Sequence, residues 1–309
     1  MTITQIKYVL SVNKHRNFTI AAEKCFVTQP TLSMQIQKLE EELGVKIFNR
    51  KKKPIELTEI GSKIVIQAKS ILDEANRMQD IIDQHKGYIG GEFKLGIIPT
   101  VAPTLLPLFL KTFIKSYPEI QLIVEENTTD QLIKKLKNNQ IDCAIAATPL
   151  QDENLKEIVL YFEPFVGYLN ENHPSLPKKQ ITLSDIESDT ILLLNDGHCF
   201  RNSVINLCKN KTDHNQTFYL ESGSFETLTR LVDQNIGITL LPHLHGLKTE
   251  HQNRIKPFKD PKPAREISLI YPKNELKMQL IKVLQNTISS AIKGSMSFYD
   301  IKIVSPLKK

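Results

Sequence analysis

The sequence predicts an α/β protein in which a small winged helix-turn-helix unit is followed by one long linker helix and a larger α/β body. Three observations support this fold class. Three short helical patterns are followed by a basic turn between two short apolar runs. An apolar stripe at helical spacing then covers about residues 59–87, and after Gly90-Gly91 strand-like runs alternate with helical ones.

Composition and charge limit the classes of function that this protein can have. The 309 residues are 40% hydrophobic, and no apolar run reaches transmembrane length, so we expect a cytosolic protein without a membrane partner. Through Lys63 there are 11 Lys/Arg and 6 Asp/Glu, which gives +5 of the total +6. A basic amino-terminal part on a nearly neutral body favours nucleic acid as partner.

The first helices contain a candidate DNA-reading surface. Ile3–Leu10 should form the first helix, Thr19 is predicted to cap the second, and Thr28 is predicted to cap the third. An ordinary three-helix packing unit would explain the apolar positions equally well. It would not explain the short polar side chains at the start of the third helix, which suit base-edge and phosphate contacts. These candidates are Gln29, Pro30, Thr31, Ser33, Gln35 and Lys38.

A basic turn follows between two predicted strands, Val45–Phe48 and Ile55–Leu57. Such a turn is usually a solvated loop. Beside a helix-turn-helix, it favours a wing that grips phosphates through Arg50, Lys51 and Lys52, and this would complete a DNA-binding domain at 1–58.

The long helix at 59–87 has a nearly heptad apolar spacing. Burial against the chain's own body is one explanation, and pairing with a second helix is the other, favoured one. The spaced residues are Ile60, Ile64, Ala68, Ile71, Ala75, Met78 and Ile82.

The body, 88–309, should contain a mostly parallel sheet with helices on both faces. In such sheets, ligands bind at the carboxyl ends of strands, and both Thr100 and Cys199 follow a predicted strand. The predicted strands are Phe93–Ile98, Ile120–Glu125, Ile141–Ala146, Ile158–Leu169, Thr190–Leu194, Phe218–Leu220, Ile236–Leu241 and Ile267–Tyr271.

Cys199 is the candidate reactive residue. The turn Asn195-Asp196-Gly197 should start a helix, which places Cys199 in the first turn beside His198 and Arg201. The helix dipole and these flanking groups favour a thiolate, which attacks peroxides to form a sulfenic acid that a second thiol can trap. A buried, inert core cysteine is the alternative.

Several motifs resemble the LysR-type transcriptional regulators. They are Phe18-Thr19 with Ala21-Ala22, Thr28–Ser33 with Gln35-Ile36, Gly96–Pro103, Gly237–Pro242, and above all Gly197–Arg201 with Cys208, which is similar to the redox segment of the peroxide-sensing members. The resemblance implies a periplasmic-binding-protein-like body of two subdomains, about 92–161 with 266–300 and about 162–265. It also implies dimerisation through the linker helix and assembly into a dimer of dimers. The implied partners are promoter DNA and RNA polymerase, and cytosolic thiol systems would reduce the oxidised protein.

The resemblance also implies roles for single residues. Cys199 would attack hydrogen peroxide and Cys208 would resolve the sulfenic acid as a reversible disulfide, while Thr100 and Thr129 would line the peroxide pocket with Arg265 nearby. Without the family, a helix cap for Thr100 and a surface charge for Arg265 are the simpler interpretations. The chain has Asn202-Ser203 where the peroxide-sensing members usually have Asp-Gln, which leaves Arg201 with one fewer expected partner.

The remaining cysteines, Cys25 and Cys143, are expected to be inert core residues, and no metal site or cofactor is predicted. Two other functions are consistent with parts of the chain. A LysR-type regulator of a small metabolite would bind an organic anion between the subdomains, but it has no need of two cysteines. A thiol peroxidase has no need of a helix-turn-helix, so we predict a regulator rather than an enzyme.

Overall fold

The computed structural model describes residues 1–86, 89–208, 223–293 and 301–307. These residues form two compact units, Met1–Lys86 and Gly87–Lys309. No helix in the described ranges is both long and apolar enough to cross a membrane.

The first unit is a winged helix-turn-helix followed by a long helix. Helix α2 begins after Asn17, whose side chain accepts hydrogen bonds from the Thr19 and Ile20 amides, so the prediction of Thr19 as the cap is wrong by two residues. Thr28 precedes α3 as predicted, although its hydroxyl does not cap that helix. The elements are α1 Ile3–His15, α2 Phe18–Lys24, α3 Gln29–Leu43, β1 Phe48–Asn49, β2 Glu56–Leu57 and α4 Glu59–Lys86.

A buried carboxylate attaches the wing to α3. Strands β1 and β2 pair antiparallel, and the buried Glu40 accepts hydrogen bonds from the Ile47 amide at 2.8 Å and the Phe48 amide at 3.3 Å. Gly61 in α4 packs so closely that a Cβ there would lie 2.1 Å from the Ile47 carbonyl oxygen. The wing therefore has a fixed position on the helical core.

The second unit is an α/β body with helices α5–α10. Each predicted strand within the described residues corresponds to an observed strand, with ends shifted by a few residues. The predicted strand Phe218–Leu220 lies outside the described residues. The helices are α5 Ala102–Ser116, α6 Thr129–Lys137, α7 Cys199–Cys208, α8 Phe225–Asp233, α9 His243–Gly246 and α10 Met278–Lys293. The strands are β3 Gly91–Ile97, β4 Ile120–Glu126, β5 Cys143–Thr148, β6 Leu155–Tyr168, β7 Ile191–Leu192, β8 Ile238–Pro242, β9 Ile255–Pro257, β10 Lys262–Pro272 and β11 Ile301–Ile303.

The sheet has the order β4-β3-β5-β10-β6-β8-β7. Its outer pairs are parallel, but the two longest strands, β6 and β10, run antiparallel to each other and to their other main-path neighbours β8 and β5. The expectation of a mostly parallel sheet is therefore wrong for its centre, because these strands are crossover segments between two halves rather than parts of βαβ units.

Two hydrophobic cores divide the body. Strand β6 contributes Leu155 and Tyr161 to one core, and Phe165 and Tyr168 to the other. This is the two-part, periplasmic-binding-protein-like architecture that the sequence predicted. The finer subdomain boundaries, at about 161 and 265, stay a prediction.

Candidate functional site

Cys199 is the first residue of α7, as the sequence predicted. Gly197 in the preceding turn has φ +96°, a left-handed conformation that glycine adopts readily, and a Cβ there would lie 3.6 Å from the Thr128 methyl carbon. The turn therefore packs against the start of α6. Cys199 is 8% exposed and belongs to the first hydrophobic core, whereas the next residue, Phe200, belongs to the second. The start of α7 thus lies where the two cores meet.

Arg265 is a fully buried charge next to this helix start. Its guanidinium carbon lies 5.2 Å from the centre of the Phe200 ring. Its Nη1 donates to the Thr100 hydroxyl at 2.9 Å, and Nη2 donates to the Thr100 carbonyl oxygen at 3.0 Å. Burial excludes the surface-charge interpretation of Arg265, and the contact gives the Thr100 hydroxyl a role other than capping.

Glu163, which sequence reasoning missed, is the counter-ion. Its Oε2 accepts from Arg265 Nε at 2.9 Å and Nη2 at 2.7 Å, and its Oε1 accepts from the Leu244 amide at 3.1 Å. Both charged side chains are fully buried. Glu163 and Arg265 are directly paired across β6 and β10. A lone carboxylate within the apolar run Ile158–Leu169 was the available signal, but its partner is 102 residues away.

Among the residues that the structure describes, three buried side-chain oxygens have no hydrogen-bond partner: Thr129 Oγ1, Asn195 Oδ1 and Tyr161 Oη. Thr129 begins α6, beside Thr128, which the turn before Cys199 contacts. Asn195 lies in the same segment as His198, and a Cβ on Gly223 would approach both side chains, at 3.7 Å and 3.3 Å. Unsatisfied buried polar atoms are costly, so they indicate places where water or a small polar ligand binds.

The charges around the helix start differ from the sequence-based expectation. Burial lowers the pKa of His198, so this ring is neutral at pH 7. His245, which stacks on Phe225, has a pKa lowered to about 4 by burial and by the nearby Arg265 and Lys248. The cations at the start of α7 are therefore Arg201 and Arg265, and each of them is paired with a carboxylate. Arg201, which was expected to have one partner fewer, pairs with Asp196 at 3.2 Å and donates to the Leu194 carbonyl oxygen at 3.0 Å.

The far end of α7 is held by the chain's carboxyl-terminal segment 301–307. The Asn206 amide donates to the carbonyl oxygens of Ser305 at 3.0 Å and Leu307 at 2.9 Å, and Asn202 donates to Pro306 at 3.2 Å. Val304 is buried in the second core with residues of α7. Asn202, which replaces the usual aspartate, thus has a defined role here. This contact has no counterpart among the sequence-based predictions.

Cys208 ends α7, and like Cys199 it is a free thiol. Burial raises the pKa of Cys208 to about 11, so this thiol is protonated at neutral pH. Of the other cysteines, Cys143 is buried, as expected, and Cys25 is partly exposed at the end of α2.

The predicted DNA-reading residues all lie on α3, and all of them except Lys38 fall in its amino-terminal half. Gln29 and Pro30 are exposed. Thr31 shares a 2.8 Å hydrogen bond with Thr28, and Gln35 accepts one from Gln5 at 3.3 Å.

The wing cations have unequal surroundings. Arg50 donates to the Ser33 hydroxyl at 2.9 Å, pairs with the buried Glu40 at 3.3 Å and lies 5.0 Å from the centre of the Phe18 ring. Lys52 pairs with Glu56 at 2.6 Å, and Lys51 is exposed. Arg50 is therefore suited to orient Ser33, and the lysines are the better candidates for phosphate contacts.

We expect Glu163→Gln to lower the free energy of unfolding of the second unit by about 3–5 kcal/mol, because the buried Arg265 charge loses its partner. Thermal unfolding should show a melting temperature lower by about 10 °C. The matched control is Glu226→Gln, which removes one carboxylate from an exposed pair with Arg230 and should have little effect. Equal shifts in the two variants would contradict this account.

Comparison with known proteins places the chain in a family. Residues 3–62 match the bacterial regulatory helix-turn-helix of the lysR family, and residues 86–291 match the LysR substrate binding domain. The chain is 32% identical, over 96% of its length and 98% of the relative's, to a hydrogen peroxide-inducible genes activator of Pectobacterium carotovorum. It is 33% identical, over 88% of its length and 89% of the relative's, to the DNA-binding transcriptional dual regulator OxyR of Escherichia coli K12.

Solved structures agree with the sequence relatives. A full-length OxyR variant from Pseudomonas aeruginosa is 31% identical and superposes with a TM-score of 0.70, over 94% of this chain and 98% of that one. A hydrogen-peroxide-bound OxyR mutant of Corynebacterium glutamicum is 28% identical, with a TM-score of 0.64, over 95% and 93%. The chain therefore belongs to the LysR family of bacterial helix-turn-helix regulators.

Proposed function

We propose that this chain is a DNA-binding regulator that senses hydrogen peroxide through Cys199 and Cys208. The observation that carries the proposal is the arrangement of α7. It begins with a cysteine beside a buried arginine and unsatisfied polar groups, and it ends with a second cysteine. The relatives named as peroxide-inducible activators support this interpretation.

The chemistry needs only the two thiols and the oxidant. The Cys199 thiolate attacks one peroxide oxygen, the O–O bond breaks, and the departing hydroxide takes up a proton to leave as water. The Cys208 sulfur then attacks the sulfenic sulfur, which releases a second water. The net reaction converts two thiols and one hydrogen peroxide into a disulfide and two waters. Cytosolic thiol systems would reverse it.

The geometry requires a change of structure between the two steps. Cys208 lies nine positions after Cys199 along α7, which corresponds to a rise of about 13.5 Å along the axis of the intact helix. Their Cα atoms are therefore at least that far apart. A disulfide needs a Cα separation of about 4.4–6.8 Å. Burial also keeps the Cys208 thiol protonated, because it raises the pKa to about 11. Unwinding from the carboxyl-terminal end would remove both obstacles at once.

A small-metabolite regulator is less well supported. An organic anion bound near Cys199 would need a cation to neutralise it. The buried Arg265 is already neutralised by Glu163, and its remaining contacts go to Thr100. Small uncharged ligands with hydroxyl groups, such as hydrogen peroxide, suit the unsatisfied Thr129 and Asn195 oxygens better.

The amino-terminal unit would deliver the signal to promoter DNA as part of an oligomer. On α4, three residues of the predicted apolar stripe are exposed in the single chain, Ile60 at 43%, Met78 at 69% and Ile82 at 45%, whereas Ala68 is buried. A second α4 helix is the partner that a stripe at this spacing fits. We propose a dimer through α4, pairing of dimers on the DNA, and action on RNA polymerase.

We expect Cys199→Ser to abolish the peroxide response and Cys208→Ser to stop at the sulfenic acid. The roles differ because Cys199 lies at a helix start, whereas burial keeps Cys208 protonated by raising its pKa. A dimedone-type probe, read by mass spectrometry after peroxide treatment, should label Cys208→Ser and not Cys199→Ser. Cys143→Ser is the control and should behave as the unmodified protein. Equal labelling of both variants would mean that the roles are assigned wrongly.

We expect Asn206→Ala to loosen the end of α7, because it removes two hydrogen bonds to the segment 301–307. At about 0.5–1.5 kcal/mol each, their removal should speed amide exchange in 203–208 roughly 5- to 100-fold and accelerate disulfide formation. Asn202→Ala removes one bond and should have a smaller effect. Unchanged exchange and oxidation in both variants would remove this segment from the mechanism. We expect local opening over residues 196–215, of which 209–215 lie outside the described residues.

We expect Lys51→Ala with Lys52→Ala to weaken binding to all DNA sequences and to reduce the log–log salt slope by about 0.9 for each phosphate that the wing no longer neutralises. Arg50→Ala should instead reduce the ratio of operator to random-DNA affinity, because Arg50 holds Ser33. Fluorescence anisotropy at several salt concentrations separates the two effects. If the lysine variant keeps the original slope, the wing does not contact phosphates. Gln29→Ala should reduce the same ratio if α3 is the reading helix.

A further inference from the structure

Phe26 is a phenyl group almost fully exposed to solvent, at 94%. It lies in the turn between α2 and α3, three residues before Gln29, the first residue of α3. Its neighbours Cys25 and Val27 pack against the core of the first unit. The Phe26 side chain contributes no comparable burial, so its presence is not explained by the stability of the fold.

The backbone at Phe26 adds a cost. Its φ is +56°, the left-handed region that bulky side chains disfavour. The Phe26 amide donates to the Glu23 carbonyl and the Val27 amide donates to the Ala22 carbonyl, which is the hydrogen-bond pattern that ends a helix with a left-handed residue. Glycine or asparagine is the preferred residue at this position. Phenylalanine is therefore unfavourable at this position for two reasons: its apolar ring is exposed to water, and its backbone is in the left-handed region.

The surroundings of Phe26 indicate what the ring contacts. The exposed residues Gln29 and Pro30 begin the helix that we propose enters the major groove. The residues just before that start lie at the edge of the same surface. The prominent apolar group on base edges in the major groove is the C5-methyl group of thymine, and apolar side chains, phenylalanine among them, recognise it.

We propose that Phe26 is a specificity-determining residue whose ring contacts the methyl group of a thymine in each operator half-site. This inference rests on the proposed DNA-reading role of α3. It adds a base preference that the polar residues of α3 do not supply. The local cost of Phe26 is then offset only when DNA is bound.

The test compares Phe26→Asn with the unmodified full-length protein, because asparagine tolerates the left-handed conformation. The operator is selected from a random duplex pool with the unmodified protein. Affinities are then measured for that duplex and for duplexes in which single thymines are replaced by uracil, which removes only the methyl group. Leu43→Asn, at the opposite end of α3 and 41% exposed, is the control.

We expect Phe26→Asn to bind the operator about tenfold more weakly, within the range typical of a single base-pair mismatch, while its melting temperature stays equal or rises. Uracil at one position per half-site should weaken the unmodified protein and Leu43→Asn by a similar factor, and should leave Phe26→Asn unaffected. Unaltered affinity of Phe26→Asn would overturn the proposal. So would a uracil effect that is the same in both proteins, since the ring would then contact something other than the methyl group.

Failure of the wider DNA-reading proposal has a different signature. If Gln29→Ala discriminates the selected operator from random DNA as well as the unmodified protein does, α3 is not the reading helix. If Gln29→Ala loses discrimination while Phe26→Asn binds normally, only the inference about Phe26 fails.

Discussion

The buried ion pair between Arg265 and Glu163 is the constraint on which the rest of the site depends. A charge pair without solvent contact is tolerated only when its other hydrogen-bonding groups are also satisfied. Here they are satisfied by Thr100 before α5 and by the Leu244 amide in α9. The pair therefore joins the two long central strands to two helix starts, and its guanidinium supports the Phe200 ring. Removal of either Arg265 or Glu163 would leave an unpaired charge in an apolar interior, beside the Phe200 ring that follows Cys199 in α7.

The two ends of α7 are held by interactions of different kinds. At its start, Phe200 packs edge-on against Phe165 and Phe225, with ring centres 5.1 and 5.2 Å apart. At its end, two asparagine amides hold backbone carbonyls of the short segment 301–307. Hydrogen bonds to a chain end are individually weak in net free energy, whereas aromatic packing in a core is not easily exchanged for water. We therefore expect the helix to open from its carboxyl-terminal end, which carries Cys208.

Local sequence features predicted much of this molecule, and long-range pairings account for what they missed. Helical spacing and turn residues were sufficient for three short helices, for the long α4 and for Cys199 at the start of α7, whereas the helix-turn-helix assignment also rested on the family resemblance. The antiparallel arrangement of β6 and β10, the role of Glu163 and the contact between α7 and segment 301–307 involve partners about 100 residues apart. The apolar pattern of a strand does not show whether the neighbouring strand is parallel or antiparallel to it. Likewise, the position of a single carboxylate in the sequence does not show which cation it pairs with in the fold.

The residues that local rules do not explain are the ones that point to function. Phe26 adopts a left-handed conformation while exposing its ring, and Thr129 and Asn195 bury oxygens without partners. Each of these arrangements is unfavourable for the isolated chain, and a mutation to a better-suited residue would remove the cost. A thymine methyl group would cover the ring, and a small hydrogen-bonding molecule would satisfy the oxygens. The two units thus share one physical feature, an unfavourable arrangement that a specific partner makes favourable.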